Sequence, residues 1–160
     1  MRKISVIERI KKEIGKEVNE HDVLVFKISP NERDCCCTNC WYGTWSYINN
    51  NLKLNHPITH EDGALVTLNN VDFVLEDHES GPEIIVWIEA GSALINMVSA
   101  IITLICVIID KRKIEKPSST FSIKKIIYKN GKPKEKIIIK IPQNMDRKAI
   151  KKLLKENVKV

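Results

Sequence analysis

The sequence predicts an α+β protein in which a small mixed sheet packs against a long apolar helix, followed by a C-terminal ββα unit. Three observations predict this class. A helical amphipathic pattern opens the chain, short β-branched runs separated by turn residues follow, and a long uncharged segment precedes the last two strands. The chain has 160 residues, of which 43% are hydrophobic and 29% charged. This length suits one ordinary domain or two very small ones, and the composition excludes a wholly disordered chain and a multi-pass membrane protein.

Residues 1–80 are expected to form an N-terminal α/β part. Ser5 and Glu8 have the spacing of a capping box, and the apolar residues that follow recur at helical intervals. The run 23–28 is rich in Val, Leu and Ile and predicts a strand, which ends at Ser29-Pro30.

The rest of this part is less regular. Residues 31–63 are polar and rich in Cys, Asn and aromatic side chains, and they are expected to form a Cys-rich loop. Residues 64–68 and 71–75 flank Asn69-Asn70, a dipeptide that suits a two-residue hairpin turn. The sequence therefore predicts a hairpin after the loop.

Residues 81–113 form the most apolar segment of the chain. Residues 84–88 predict a buried strand, and Ser92 is placed to cap a helix that runs over about 92–110. The cations at 111–113 would close this helix, because positive charge is favourable at a helix C-terminus.

The uncharged stretch 91–109 has two interpretations. Its 19 residues approach the length that crosses a bilayer, and the cations that follow would keep the C-terminus in the cytoplasm. The favoured interpretation is a helix that packs on a sheet in a cytoplasmic protein. It rests on the lack of a secretory h-region near the N-terminus and on a polar stripe along one helical face. The stripe consists of Ser92, Asn96, Ser99, Thr103, Cys106 and Asp110.

Small side chains let backbones approach closely, so this interaction helix is expected to meet another copy, a partner protein or lipid. Ser92, Asn96, Ser99, Thr103 and Cys106 are its candidate contact residues. On this expectation, replacing Ser99 by Leu overfills the contact.

Cysteine and histidine residues in the predicted loop suggest a metal site. Cys37, Cys40, His56 and His60 form a C-x2-C-x15-H-x3-H pattern, whose spacing lies in the range of zinc sites. Two thiolates and two imidazoles would complete a tetrahedral zinc shell. The alternative interpretation is a Cys-rich loop with unrelated histidines, because the intervening segment lacks the apolar pattern of a zinc finger.

Residues 118–160 predict a basic hairpin followed by a helix. Residues 121–129 and 135–141 are β-branched and are joined by Asn130-Gly131, a strong hairpin signal. Asn144 or Asp146 would cap the last helix.

Charge is divided unevenly along the chain. Residues 1–110 contain 9 Lys and Arg against 16 Asp and Glu, a net charge of −7, whereas residues 111–160 contain 17 against 4, a net charge of +13. The predicted basic surface consists of Lys124, Lys125, Lys132, Lys134, Lys136, Lys148, Lys151 and Lys152. An anionic membrane surface is one partner for such a surface. Nucleic acid is less favoured, because Tyr128 is the only aromatic residue between 122 and 160 and no stacking platform is present.

The order of elements in the second half resembles a known family. A strand-like run begins at Gly81, a small-residue step follows at 90–92, and an apolar helix ends in the cations 111–113. A hairpin around Asn130-Gly131 and a helix led by Asp146 complete the pattern. Over residues 81–157 this order resembles the effector-associated constant component proteins of bacterial conflict systems. The resemblance implies a small, non-catalytic partner of defence effectors, and it brings no catalytic residues.

Together, these observations predict a non-catalytic interaction or adaptor component that binds a protein partner or forms a homo-oligomer. Two alternatives remain open. One is a single-pass membrane protein with a basic cytoplasmic C-terminal unit, and the other is a zinc-binding module. No catalytic constellation is recognisable, so the chain is not expected to be an enzyme.

Overall fold

The computed structural model describes residues 5–31, 38–78, 81–89 and 93–160. Within these ranges the helices are α1 (Val6–Ile14), α2 (Tyr42–Asn51), α3 (Leu94–Glu115) and α4 (Arg147–Asn157), with a 3-10 turn at Glu20–Asp22. The strands are β1 (Val23–Pro30), β2 (Lys53–Leu54), β3 (Ala64–Leu68), β4 (Val71–Glu76), β5 (Glu83–Trp87), β6 (Phe121–Lys129) and β7 (Lys132–Ile141).

The predicted α+β class is confirmed, but the sheet is not mixed. Its seven strands lie in the order β2-β3-β4-β5-β1-β6-β7, and every pairing among the described residues is antiparallel. The crossover through α3 leaves β5 and β6 running in the same direction. They do not become parallel neighbours, because β1 lies between them and pairs with both. The sheet takes strands from all three predicted segments of the chain.

Both predicted two-residue hairpin turns are present. Asn69 and Asn70 have φ of 52° and 61°, and they join β3 to β4. Asn130 and Gly131, with φ of 53° and 75°, join β6 to β7. Positive φ at both central residues matches the right-handed twist of the strands, and Asn and Gly are the residues that adopt it most readily.

Helices cover both faces of the sheet. One face, which we call the α1 face, packs against α1, and its core consists of Val6, Ile10, Val23, Val25, Val74, Ile85, Trp87 and Ile126. The opposite face, which we call the three-helix face, packs against α2, α3 and α4 and carries the larger core. Because both faces are covered, β5 is buried at all five residues, as its continuous apolar run predicts.

The predicted loop 31–63 contains a helix, which corrects the sequence expectation. Trp41, Trp45 and Ile48 are buried at helical spacing and fasten α2 to the three-helix face. The Gly, Thr and Asn residues of this segment have low helix propensity. For this reason a loop was predicted, and the helical spacing of the buried apolar residues was not recognised. Tertiary burial therefore decides that this segment is helical.

The long helix starts later and ends later than the predicted range of about 92–110. The expected cap, Ser92, lies outside the described residues. Lys111 and Arg112 do not end α3 but lie over the rings of Tyr47 and Trp41, at 4.1 and 4.6 Å from the ring centroids. These cation–π contacts, and the burial of the Arg112 stem, extend α3 to Glu115.

A side chain in the last turn of α3 also caps the N-terminus of α2. The Glu115 carboxylate accepts hydrogen bonds from the backbone N–H of Thr44, at 3.1 Å, and from its hydroxyl, at 3.3 Å. A carboxylate from α3 thus satisfies an N–H group that the first turn of α2 leaves without a helical partner. The helices α1 and α4 are capped locally instead: α1 by Ser5, as predicted, and α4 by Asp146, one of the two residues predicted for this cap.

Candidate functional site

The predicted basic surface lies on β6, β7 and α4. Residues 132–137 of β7 are all exposed, as are Lys148, Lys151 and Lys152 on α4. Lys124 and Lys125 on β6 are half-buried. Helix α4 packs beside β7 and lines a shallow depression of about 480 Å³ with Lys148, Lys151, Lys152 and Lys155.

Strand register places most of the hairpin lysines on one face. Lys136 lies opposite Lys125, Lys134 opposite Ile127, and Lys132 opposite Lys129. Because side chains alternate along a strand, these residues all lie on the three-helix face, where Lys125 neighbours Phe26. Lys124 lies on the α1 face, where its Nζ is 3.9 Å from Glu135 Oε2.

Like charges lie close together on this surface. Burial and the neighbouring charge of Lys136 lower the pKa of Lys125 below its ordinary value. The Lys125 ammonium donates a hydrogen bond to the Lys159 carbonyl, at 2.8 Å. A carbonyl carries no full negative charge, so this contact leaves the positive charge in place.

Most of these lysines have no anionic partner. In the described parts of the chain, no carboxylate forms an ion pair with Lys132, Lys134, Lys136, Lys148, Lys151 or Lys152. Arg147, the first residue of α4, pairs through Nε with Asp110 Oδ2 at 3.1 Å. The surface therefore presents concentrated positive charge that the described parts of the chain do not neutralise.

The α1 face carries a contrasting group of charges, which the sequence analysis missed. Glu83 lies directly opposite Lys27 on β1 and opposite Glu76 on β4. Arg9 of α1 forms an ion pair with Glu76, and its Nη1 lies 3.7 Å from Glu83 Oε2. Burial raises the pKa of Glu76, which the adjacent Arg9 opposes. Two cations balance two carboxylates here, so this group holds α1 on the sheet and offers no net charge to a ligand.

The candidate contact residues of the predicted interaction helix differ in their exposure to solvent. Asn96, Ser99 and Thr103 are exposed, and the Thr103 hydroxyl donates to the Ser99 carbonyl at 2.9 Å. Cys106 is buried near α4, and burial raises the pKa of its thiol. Ser92 lies outside the described residues. Among the described residues of the stripe, Asn96, Ser99 and Thr103 are therefore open to solvent, whereas Cys106 is buried and Asp110 is half-buried.

Helix α3 is long and apolar enough to cross a membrane by length and composition, and half of its most apolar stretch is buried within the protein. Its first turn exposes Leu94 and Ile95, the latter by 85%.

The structure describes three of the four predicted zinc ligands, because Cys37 lies outside the described residues. Cys40 is exposed, and the backbone carbonyl of this residue accepts a hydrogen bond from Arg112 at 3.3 Å. Donor atoms of Glu13, His56 and Asp62 lie within 4.8 Å of one another. Among the described residues no such group contains Cys40 or His60, although His60 lines a cavity of about 150 Å³ together with Glu13 and Asp62.

The Glu13, His56 and Asp62 group is already satisfied by its own hydrogen bonds. Glu13 accepts from Asn55 Nδ2 at 2.8 Å and approaches His56 Nε2 at 3.1 Å, and Asp62 accepts from Lys12 at 2.8 Å. These contacts fasten the segment after β2 to α1. Glu13 and His56 are 43 residues apart in the sequence, so no local motif indicates that they are in contact.

Fold and site together define a class: an α+β protein whose antiparallel sheet is covered by helices on both faces, with a basic surface on its C-terminal strands and helix that no described carboxylate neutralises. Comparison of the chain with protein-family models, with curated proteins and with solved structures gave no match.

Proposed function

We propose that this protein is a non-catalytic interaction module that binds an acidic partner protein through its basic surface. The observation that carries the proposal is the set of exposed lysines without an anionic partner in the described chain, on β7 and α4. Clustered like charges repel one another, and a carboxylate-bearing partner would relieve that repulsion.

The composition of the surface favours a protein over a nucleic acid. Recognition of nucleic acid commonly uses arginine forks and aromatic stacking. The available arginine, Arg147, is paired with Asp110, and Tyr128 is half-buried on the opposite face of the sheet. A lysine ammonium acts as a compact point charge, which a carboxylate can pair without a planar stacking partner.

The resemblance to the effector-associated constant components supplies the proposed partner class, an effector of a bacterial conflict system in the cytoplasm. Genes next to this one that encode a protease, a nuclease or a nucleotide-binding switch would support this partner class. An unrelated gene neighbourhood would argue against it.

Binding of defined polyanions tests the proposal. Poly-glutamate, duplex DNA and vesicles containing phosphatidylserine are titrated with the protein at low and at physiological salt. We expect poly-glutamate to bind most tightly, with an affinity that falls as salt rises. Preference for the vesicles would instead support the membrane alternative, and preference for DNA would support nucleic-acid binding. Either result would overturn the proposal.

A charge-matched pair of variants locates the site. In one, Lys132, Lys134 and Lys136 are all replaced by Glu. In the control, the exposed Lys11, Lys16 and Lys53 are replaced by Glu, which changes net charge equally on other parts of the surface. We expect the first variant to lose poly-glutamate binding by about tenfold or more and the control to retain most of it. Equal losses would show that net charge, and not this surface, governs binding.

A further inference from the structure

One edge of the sheet is open. Strand order places β7 last, and within the described chain it pairs with β6 on one side only. Residues 139 and 141 are buried near α4, whereas residues 132–137 are exposed. The opposite edge, β2, is only two residues long. An open stretch of six residues is the usual length of a whole strand, but Pro133 within it has no backbone N–H to donate. The edge that β7 offers to another strand for hydrogen bonding therefore lies mainly at residues 134–137.

This edge is held in place before any partner arrives. The backbone N–H of Gly131, in the β6–β7 turn, donates to the Glu20 carboxylate at 2.5 Å. A bulge between β6 and β7, where Ile123 pairs with Ile139 but Lys124 pairs with Ile137, separates the open half of β7 from its buried half. A partner strand would therefore meet a preformed edge, and β7 itself would lose little conformational entropy on binding.

The side chains on the edge select the strand that can join it. Lys132, Lys134 and Lys136 project at alternate positions on the three-helix face. A second copy of β7 would place lysines against lysines, and like charges opposite one another destabilise a strand pair. The lysines thus disfavour self-association and favour a strand that carries carboxylates.

The other face of the edge is less charged. Glu135 and Ile137 project there, and the Ile137 side chain is 49% exposed. A partner strand that alternates acidic and apolar residues would place carboxylates beside the lysines and an apolar side chain beside Ile137.

We propose that β7 accepts an extended acidic segment of the partner as an eighth strand, with carboxylates at every second position paired with Lys132, Lys134 and Lys136. This inference rests on the proposed function, because it specifies how the same basic surface holds its acidic partner. Backbone hydrogen bonds would supply affinity, and the alternation of charge would supply register.

Synthetic peptides separate strand addition from simple charge attraction. One probe is a seven-residue peptide of alternating valine and glutamate, and its control has the same composition with the glutamates in one block. We expect the alternating peptide to bind about tenfold more tightly than the block peptide. Equal affinities would overturn strand addition while leaving acidic binding, and therefore the proposed function, intact.

N-methylation of the peptide tests the backbone contacts. A strand on an open edge uses the N–H groups of alternate residues only. Two versions of the alternating peptide, methylated at odd or at even positions, keep the same charge. We expect one version to lose binding and the other to retain it. Equal behaviour of the two versions would contradict pairing along the edge.

Hydrogen exchange of the intact protein gives a second readout. On addition of the alternating peptide, we expect slower exchange at alternate amides within 134–137, with no change at β3. Unchanged exchange in β7 despite measurable binding would place the peptide elsewhere on the basic surface. If neither the peptides nor poly-glutamate binds, both the inference and the proposed function fail.

Discussion

At the scale of single residues, close backbone contacts and local charges determine which substitutions the protein tolerates. Gly81 has φ of 130° and precedes β5, where the Pro82 carbonyl accepts a hydrogen bond from the Ile28 N–H at 2.9 Å. A Cβ at position 81 would lie 1.9 Å from the Ile28 carbonyl oxygen. Both the backbone conformation and the adjacent strand therefore require glycine at this position.

Gly81→Ala is expected to lower the free energy of unfolding by roughly 3 kcal/mol or more, because β1 must move to admit the methyl group. Gly15→Ala is the matched control. Gly15 also has positive φ, 71°, but nothing lies within 4 Å of its added Cβ. Its cost should be about 1 kcal/mol. Denaturant unfolding measures both variants, and similar costs would show that the backbone contact at Gly81 is unimportant.

His56 is expected to make stability depend on pH. A hydrogen bond to the Pro57 carbonyl, and then the Glu13 carboxylate, raise the pKa of His56 above its ordinary value of 6.5. The protonated ring is thus favoured in the folded state. Its contribution is complete below the ordinary pKa and is lost as pH rises through the raised pKa.

We therefore expect the free energy of unfolding to decline as pH rises above the ordinary histidine pKa of 6.5 and through the raised pKa of His56, and the decline to be smaller in His56→Gln. His21→Gln is the control, because His21 lies exposed on the 3-10 turn. Urea unfolding at several pH values measures the difference. An unchanged pH dependence in His56→Gln would exclude His56 as its source.

At the scale of elements, α3 has one face buried in the core and another exposed to solvent. Ala100 is fully buried against the sheet, whereas the adjacent Ser99 is exposed. Ser99 was expected from the sequence to lie on a close-packed contact line. Ser99 is exposed, and no described residue closes the expected contact line over it.

Substitutions at these two adjacent positions separate the internal face from the external one. Ala100→Leu should overpack the core and cost about 1–3 kcal/mol, whereas Ser99→Leu should change the stability of the single chain by no more than about 0.5 kcal/mol. Thermal unfolding gives the stabilities, and light scattering gives the mass. A loss of association in Ser99→Leu alone would identify the stripe as a contact between copies.

At the scale of the whole molecule, charge is balanced on one face and unbalanced at one edge. The α1 face neutralises its buried charges with ion pairs, because burying an unpaired charge is costly. The exposed lysines remain solvated and need no partner for folding. Their arrangement can therefore serve binding at little cost to the fold.

Relief of this repulsion should be measurable. Lys136→Gln is expected to stabilise the protein by roughly 0.5 kcal/mol at low ionic strength, because Lys125 lies directly opposite. The gain should shrink as salt rises and screens the pair. Lys11→Gln serves as the control, because Lys11 forms an ion pair with Glu17 at 2.9 Å and should give no gain. Thermal unfolding at low and high salt measures both, and a gain independent of salt would contradict this explanation.

Local sequence patterns determined much of the architecture. The capping box of α1 and both hairpin turns were predicted at the observed residues, and the cap of α4, Asp146, was one of two predicted candidates. Each depends on residues at most a few positions apart, so short-range stereochemistry is sufficient to specify it. Six of the eight lysines predicted for the basic surface are exposed, because lysines on a hairpin and an amphipathic helix usually remain at the surface. Lys124 and Lys125 on β6 are half-buried, because β6 is an inner strand of the sheet.

Only the tertiary structure decided the features that join distant residues. Helix α2 depends on burial of Trp41 and Trp45 and on a carboxylate from Glu115, 71 residues from Thr44. The insertion of β1 between β5 and β6 makes the sheet antiparallel and leaves β7 at its edge. None of these depends on local spacing, because each follows from long-range contacts that form only when the whole core is assembled. The sequence alone thus determined the local elements and the charge that they carry, and the tertiary structure decided which strand edge that charge surrounds.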